Sequence, residues 1–396
     1  MIKRLMMFYR EDICYDAVNI NVDIMAKEFR KLGVECDIFD IIRDRENAVS
    51  QLVESLQKYK YDAAFTCDMI GQQDITTPDG SNLFNSLGIP FFNWIVDPPW
   101  YHILDSKCKN IYLFVMDRDH VHFVRKYYPH FKDTFFVQHS TEYDLYTGAD
   151  PEKYAERTFP VTFIGTHIEL KGLSDTIESF PDEYRELVWT AINIILDDRS
   201  LSTDRGFELA LKECKNIPDF GEGLKRMFPM MGHVEHFVRA YCREELIRNL
   251  MAAGVPLHIW GKGWDELDEY AGSNAVTYSP VPYHDVPAIY KDSKIVLNVM
   301  PWFKNGSNGR ISDGMMAGAL VCTDHSKFID ELPDIDEMVR FYDISRPQDT
   351  AEILFACLDD PEGSARSAQK AADYAAQNMT TSSVAEKMLA YMNSVV

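Results

Sequence analysis

The sequence predicts an α/β protein of two Rossmann-like domains, each built on a parallel sheet, and three observations predict it. The chain has 396 residues, more than one hydrophobic core usually spans, so two domains are expected. Short apolar runs alternate with helical patterns in two separate series. In both series the order strand, helix, strand requires parallel pairing through right-handed crossovers. A composition of 46% hydrophobic and 12% aromatic residues is that of a filled core and argues against disorder.

The first domain is expected over residues 1–150. Its strands are RLMMFY (4–9), ECDIFDI (35–41), DAAFTCD (62–68), PFFNWIVD (90–97), IYLFVMD (111–117) and TFFVQH (134–139). Helices over 21–32 and 48–58 separate the first of them, with Val22, Met25, Phe29 and Leu32 on one face. The segment 142–159, rich in Tyr, Asp, Glu and Pro, reads as a linker. The second domain, 151–379, has strands at 160–166, 257–263, 275–281, 294–300, 319–324 and 338–343. A helical insertion over 170–253 separates its first two strands and ends in HVEHFVRAYCREELIRNLMAAG, with Gly254 as the stop. Two terminal helices follow, broken at MTTSS, where Thr or Ser caps the second. The last one, 380–396, is expected to pack back on the first domain. Two such domains leave a cleft between the carboxyl ends of their sheets, where ligands bind.

Charge and cysteine usage narrow the partners. A net charge of −22, spread along the chain, argues against nucleic acid and against an anionic membrane surface. The eight cysteines are scattered without C-x-x-C or paired-His spacing, as in a reduced, cytoplasmic protein. MIKRLMMFYRED is broken by charge within ten residues, so it reads as neither a signal peptide nor a span, and no run reaches the ~18 apolar residues of a transmembrane helix.

The stretch NGSNGRISDGMMAGALVCTD (305–324) is the richest in chemistry. It lacks the Gly-Lys-Ser/Thr ending of a Walker loop and the Gly-x-Gly-x-x-Gly of a dinucleotide site. Its turn, Asn305, Gly306, Ser307, Asn308 and Gly309, lets backbone amides approach an anion. Arg310 adds a planar cation, and a helix from about Ser312 aims its positive end at the same point. Together these suit a diphosphate. Asp313, in the first turn of that helix, can accept hydrogen bonds from two ribose hydroxyls. Neighbouring strand ends offer Gly165, Thr166 and His167, then Gly261 and Lys262, then Val281. Lys262 is either a second cation for the leaving group or a solvated turn residue.

A general base is expected from the first domain. Asp97, before two prolines and between Trp94 and Trp100, comes first, as a carboxylate of raised pKa or as a simple turn former. His102, Asp68 and His139 are the further candidates, and His139 and His167 also read as hydrogen-bonded structural histidines. Asp117-Arg118-Asp119 invites a metal reading, but Asp117 is well placed to cap the helix after it. Asp334-Ile335-Asp336 has less context still. His233 and His236 lack a ligand partner at metal spacing and read as a helix face. No metal site is assigned.

Residues 293–324 resemble the donor-binding signature of GT-B glycosyltransferases, in particular the bacterial group similar to the spore-maturation protein CgeB. FIGTH (163–167), IWGKGW (259–264) and NWIVDPPW (93–100) resemble other elements of that group. The resemblance is continuous over about 255–330, patchier over 60–170 and absent from 170–253. It implies the GT-B fold, with two Rossmann-like domains facing a central cleft. By it, Asp313 stands where a glutamate holds the donor ribose, and Arg310 where a base holds the diphosphate. Asn305 departs from a glutamate that contacts the donor sugar in many retaining relatives.

The resulting expectation is a metal-independent glycosyltransferase without a cofactor. It moves a sugar from a UDP- or GDP-sugar donor to a hydroxyl of a protein or glycan acceptor bound by the first domain. A nucleotide-sugar epimerase and a non-catalytic nucleotide-sugar-binding protein are the alternatives. The oligomeric state is open, with a dimer among the options, and the insertion reads either as an acceptor-binding or as a dimerising element.

Overall fold

The computed structural model describes residues 1–9, 17–41, 45–69, 75–77, 79–102, 108–214 and 227–396. Cys14 and residues 215–226 of the helical insertion lie outside them. The chain divides into two compact units, Met1–Gln138 with Thr380–Val396, and His139–Met379.

The first unit holds six parallel strands in the order β2-β1-β3-β4-β5-β6. They are β1 (Arg4–Phe8), β2 (Glu35–Phe39), β3 (Ala63–Cys67), β4 (Phe91–Ile95), β5 (Ile111–Val115) and β6 (Asp133–Phe136). All five residues of both β3 and β4 are buried, the unbroken apolar pattern of strands covered on two faces. The helix Thr381–Val395 packs on the helix Ala17–Lys31, with Val384, Met388 and Met392 fully buried. Thr380 caps it by accepting from Ser383 N, and Tyr391 donates to Asp133 Oδ2 at 2.7 Å.

The second unit holds β7 (Phe159–Ile164), β8 (Leu257–Trp260), β9 (Val276–Tyr278), β10 (Ser293–Leu297), β11 (Leu320–Asp324) and β12 (Val339–Tyr342). Their order is β12-β11-β10-β7-β8-β9, all parallel. The winding direction reverses between β7 and β10. In open α/β sheets that reversal opens a crevice at the strands' carboxyl ends.

The crossover from β7 to β8 carries the expected helices: Leu170–Glu178, Asp182–Asp197, Thr203–Glu213 and Pro229–Ala252. The last is buried around most of its girth because the other helices cover its outer side. It ends where Gly254, at φ 76°, donates to Met251 O.

Each of the twelve predicted strand runs overlaps one observed strand. The segment read as a linker is different. Residues from His139 onward join the second unit, where Thr141 N donates to Met379 O. Arg157 Nη1 donates to Ser293 O and Gly318 O, and Tyr154 donates to Lys294 O at 2.6 Å. Its aromatic and arginine side chains thus fasten it to β10 rather than leaving it free.

Candidate functional site

At the reversal point in the second unit, the loop after β10 is shaped by buried amides. Asn298 Nδ2 donates to Thr323 Oγ1, and its Oδ1 accepts from Asn308 Nδ2, both at 2.9 Å. Ser326 donates to Gly306 O at 2.6 Å, and Ser307 and Asn308 are buried while Asn305 is half-buried. With its side chain committed to Asn298, extended Asn308 makes no capping bond to the helix it precedes. That helix runs Gly309–Met316, so it starts before the expected Ser312. Arg310 therefore stands in the first turn and Asp313 one turn further in.

Arg310 Nε donates to Ile164 O at 2.9 Å, and its guanidinium carbon lies 5.6 Å from the Phe163 ring centroid. A Cβ on Gly165 would come within 3.4 Å of Arg310 Nη2 and 3.2 Å of that ring, so the glycine lets the ring and the guanidinium pack close without crowding. Burial, with Arg239 acting in the same sense, pulls the Arg310 pKa below its ordinary range. A guanidinium remains charged there.

Two further cations come from the helix Pro229–Ala252. Arg243 is buried, donates through Nη1 to Thr166 O at 3.1 Å and lies 5.8 Å from the same Phe163 ring. Its buried Nε has no hydrogen-bond partner among the described residues. Burial and the charges of Arg310 and Arg239 push its pKa down as well. Arg239 lies 5.2 Å from the Trp302 ring, with Nε 3.3 Å from Glu235 Oε1. Leaving a buried donor unsatisfied costs about 1 to 3 kcal/mol, more for a charged group, so this cluster is poised for an anion.

The neighbouring strand ends interlock. Gly165 N donates to Trp260 O, and Trp264 Nε1 donates to Gly165 O at 2.7 Å. A Cβ on Gly261 would lie 2.3 Å from Gly165 O, which no other residue tolerates. His167 bonds Glu244 Oε2 through Nε2 at 2.8 Å. Burial raises the Glu244 pKa, but bonds from His167 and Arg248 outweigh it and leave the carboxyl below its usual range. His167 is thus held in place by Glu244. Lys262 is exposed, and its carbonyl accepts from His167 N; the charges acting on Arg310 include Arg239, and those acting on Arg243 include Arg310. Thr166 is exposed, and Val281 lies half-buried beyond β9.

Asp313 is buried, and its Oδ1 accepts from Thr141 Oγ1 at 2.6 Å. Burial lifts its carboxyl to about 7, against the lowering pull of Thr141, Tyr146 and Arg310. The Tyr146 hydroxyl adjoins this carboxylate but is buried without a hydrogen bond of ordinary geometry. His139, expected on the first domain, belongs to the second unit. Its ring sits so close over Gly309 that a Cβ there would lie 2.7 Å from Cε1. Burial drops its pKa to about 4, leaving the imidazole neutral at pH 7.

In the first unit, the ends of β3 and β4 bring together Asp68, Asp97 and His102. His102 Nε2 lies 3.6 Å from Asp68 Oδ1 and 3.8 Å from Asp97 Oδ2. The expected burial of Asp97 between tryptophans is not what forms. Trp94 and Trp100 turn inward while the Asp97 side chain is 59% exposed, because the Pro98-Pro99 turn swings Trp100 into the core. Asp68 is the buried carboxylate, at φ 49°, accepting from Val96 N at 3.2 Å. Asp117 caps the helix Arg118–Tyr127 by accepting from Asp119 N at 2.7 Å.

Arg239, Arg243, Thr141 and Tyr146 were not legible as site residues. An arginine pair four apart on a helix reads as a solvated face, and only the outer helices of the crossover reveal otherwise.

Residues 239–390 match a family model described as Glycosyl transferase-like. The matched span begins at Arg239 and takes in the loop after β10, Arg310 and Asp313. No curated protein matches the chain significantly. Among solved structures it is similar to Anabaena HepE in complex with UDP and glucose, with a TM-score of 0.56, 10% identity, and 99% of this chain and 100% of that chain covered. Sucrose-phosphate synthase from Thermosynechococcus elongatus gives 0.56, 11%, 99% and 99%. A glycosyltransferase from Rickettsia africae gives 0.52, 10%, 98% and 97%. The fold is GT-B. The arginines and the Gly309 turn lie at the strand-order reversal of the second unit and within the matched span. Among the described residues, no helix is long and apolar enough to cross a membrane.

Proposed function

We propose that the protein transfers a sugar from a nucleotide diphosphate sugar to an acceptor hydroxyl. The observation that carries this reading is Arg310, fixed by Ile164 O beside Gly165 at the reversal of strand order, in the first turn of a helix whose leading amides Asn308 does not cap. A forked guanidinium and open amides match the oxygens of a diphosphate. As the sugar-phosphate bond breaks, charge builds on the departing phosphate, and preorganised donors stabilise that charge more than the ground state. Asp313, with Oδ1 held by Thr141, keeps a second oxygen for the ribose. Positive charge fixed in the protein supplies the neutralisation, so turnover is expected to survive EDTA.

The first unit takes the acceptor in this reading, a protein or glycan, with the Asp68, His102 and Asp97 set as its proton-accepting candidates. The seven described cysteines are buried and form no disulfide among the described residues, which suits work in the cytoplasm. UDP and glucose bound in HepE make UDP-glucose the first donor to try.

A thermal-shift screen of UDP- and GDP-sugars tests the proposal. One of them raises the melting temperature and is slowly hydrolysed, and Arg310→Ala abolishes both effects. The absence of any shift across nucleoside diphosphates removes the transferase reading; a shift without hydrolysis or transfer leaves a binding protein.

A further inference from the structure

We infer that Arg243, supported by Arg239, is the second diphosphate-binding cation, so that the crossover helix Pro229–Ala252 forms one wall of the anion site. This rests on the donor reading above and names the residues that complete it.

Three observations carry it. Arg243 is buried and donates from Nη1 to Thr166 O, yet among the described residues its Nε has no hydrogen-bond partner. Its guanidinium and that of Arg310 lie against one Phe163 ring, 5.8 and 5.6 Å from the centroid. Like charges converge there only if something anionic offsets them. The local carboxylates do not suffice: Glu235 lies beside Arg239, and Asp313 acts on Arg310 but is not among the charges that act on Arg243. Three guanidinium groups against two carboxylates leave net positive charge in a buried place, and a diphosphate brings negative charge to match. Arg243 also reads the position of the Gly165-Thr166 turn, since it bonds the Thr166 carbonyl next to the glycine that admits Arg310.

Lys262 is not needed for this charge. Its exposed side chain leaves it a backbone role, accepting from His167.

The test is calorimetric titration of the full chain with the nucleoside diphosphate that stabilises the wild type, with its parent nucleoside, and with inorganic pyrophosphate. Arg243→Met keeps an apolar stem in the cavity and removes the fork. It is expected to weaken diphosphate and pyrophosphate binding ~10- to 100-fold and to leave nucleoside binding unchanged. It also flattens the salt dependence of diphosphate affinity, because one screened charge is gone. Arg243→Lys restores part of the affinity. Equal losses for nucleoside and diphosphate mean that Arg243 only shapes the turn, which overturns the inference. So does unchanged diphosphate affinity while Arg310→Ala still abolishes binding, a result that leaves the donor reading standing. A wild type that binds no nucleoside diphosphate removes the donor reading itself. If Arg243→Met does not fold, half-exposed Arg239→Gln is used: a threefold or greater loss for diphosphate alone supports the cluster, and no loss overturns it.

Discussion

The two units place opposite chemistry on nearly the same scaffold. Each has a six-stranded parallel sheet, and each gathers polar residues where strands end. In the first unit these are Asp68, Asp97 and His102, with one carboxylate exposed to water. In the second they are three arginines and a glycine-lined turn, with Arg243 sealed from water. The arginines stand at the second unit's strand-order reversal and the first unit's set follows β3 and β4, so similar sheets carry clusters of opposite charge at their strand ends. The enlarged β7 to β8 crossover delivers two of the arginines, whereas the first unit's set comes from β3, β4 and the Pro98-Pro99 turn.

Breaking that contrast calls for variants on each side. The largest effect is expected from Arg310→Ala, with nucleoside diphosphate affinity falling a hundredfold or more by calorimetry. His102→Ala in the first unit should leave that affinity within twofold and reduce only turnover. If both variants abolish nucleotide binding, the division between units is wrong.

Next comes a pH effect carried by Asp313 and His139 of the second unit. Asp313, raised from 3.8 to about 7, contributes stability that is complete below pH 4 and lost as pH rises through 7. His139, lowered from 6.5 to about 4, contributes stability that is complete above pH 6.5 and lost as pH falls through 4. Across pH 4 to 6.5 the two slopes oppose each other. Relative to wild type, Asp313→Asn should make urea-measured stability rise more steeply with pH over this window, and His139→Gln less steeply, each by ~2 to 3 kcal/mol across it. Parallel slopes in both variants would dissociate the pair.

Gly261→Ala should cost about 1 to 3 kcal/mol in chemical denaturation, because the new methyl meets Gly165 O and pries β8 from the β7 turn. The smallest effect belongs to Lys262→Ala, below ~0.5 kcal/mol in stability and below twofold in nucleotide affinity. A larger loss would return Lys262 to the anion site.

The strands were legible because runs such as MMF, AAFTC and LVCTD are apolar over lengths only a doubly covered parallel strand needs. The Gly309, Arg310 and Asp313 grouping was legible because its members are near in sequence. Arg243 meets Arg310 only through tertiary packing, and its helix shows no solvent face against which a buried arginine would stand out. Asp97 drew attention through its prolines, but burial belongs to Asp68, whose left-handed backbone no local pattern announces. The unit boundary moved for a similar reason: Tyr154 and Arg157 look like surface residues until β10 supplies the carbonyls they bind.

The indole of Trp302, one of six tryptophans in the chain, lies under Arg239 and is almost closed to water. Any anion that draws Arg239 aside changes the charge above that ring. The molecule thus carries its own optical gauge of occupancy, readable by ultraviolet emission without a dye, and replacing Trp302 with phenylalanine identifies which part of the signal it supplies.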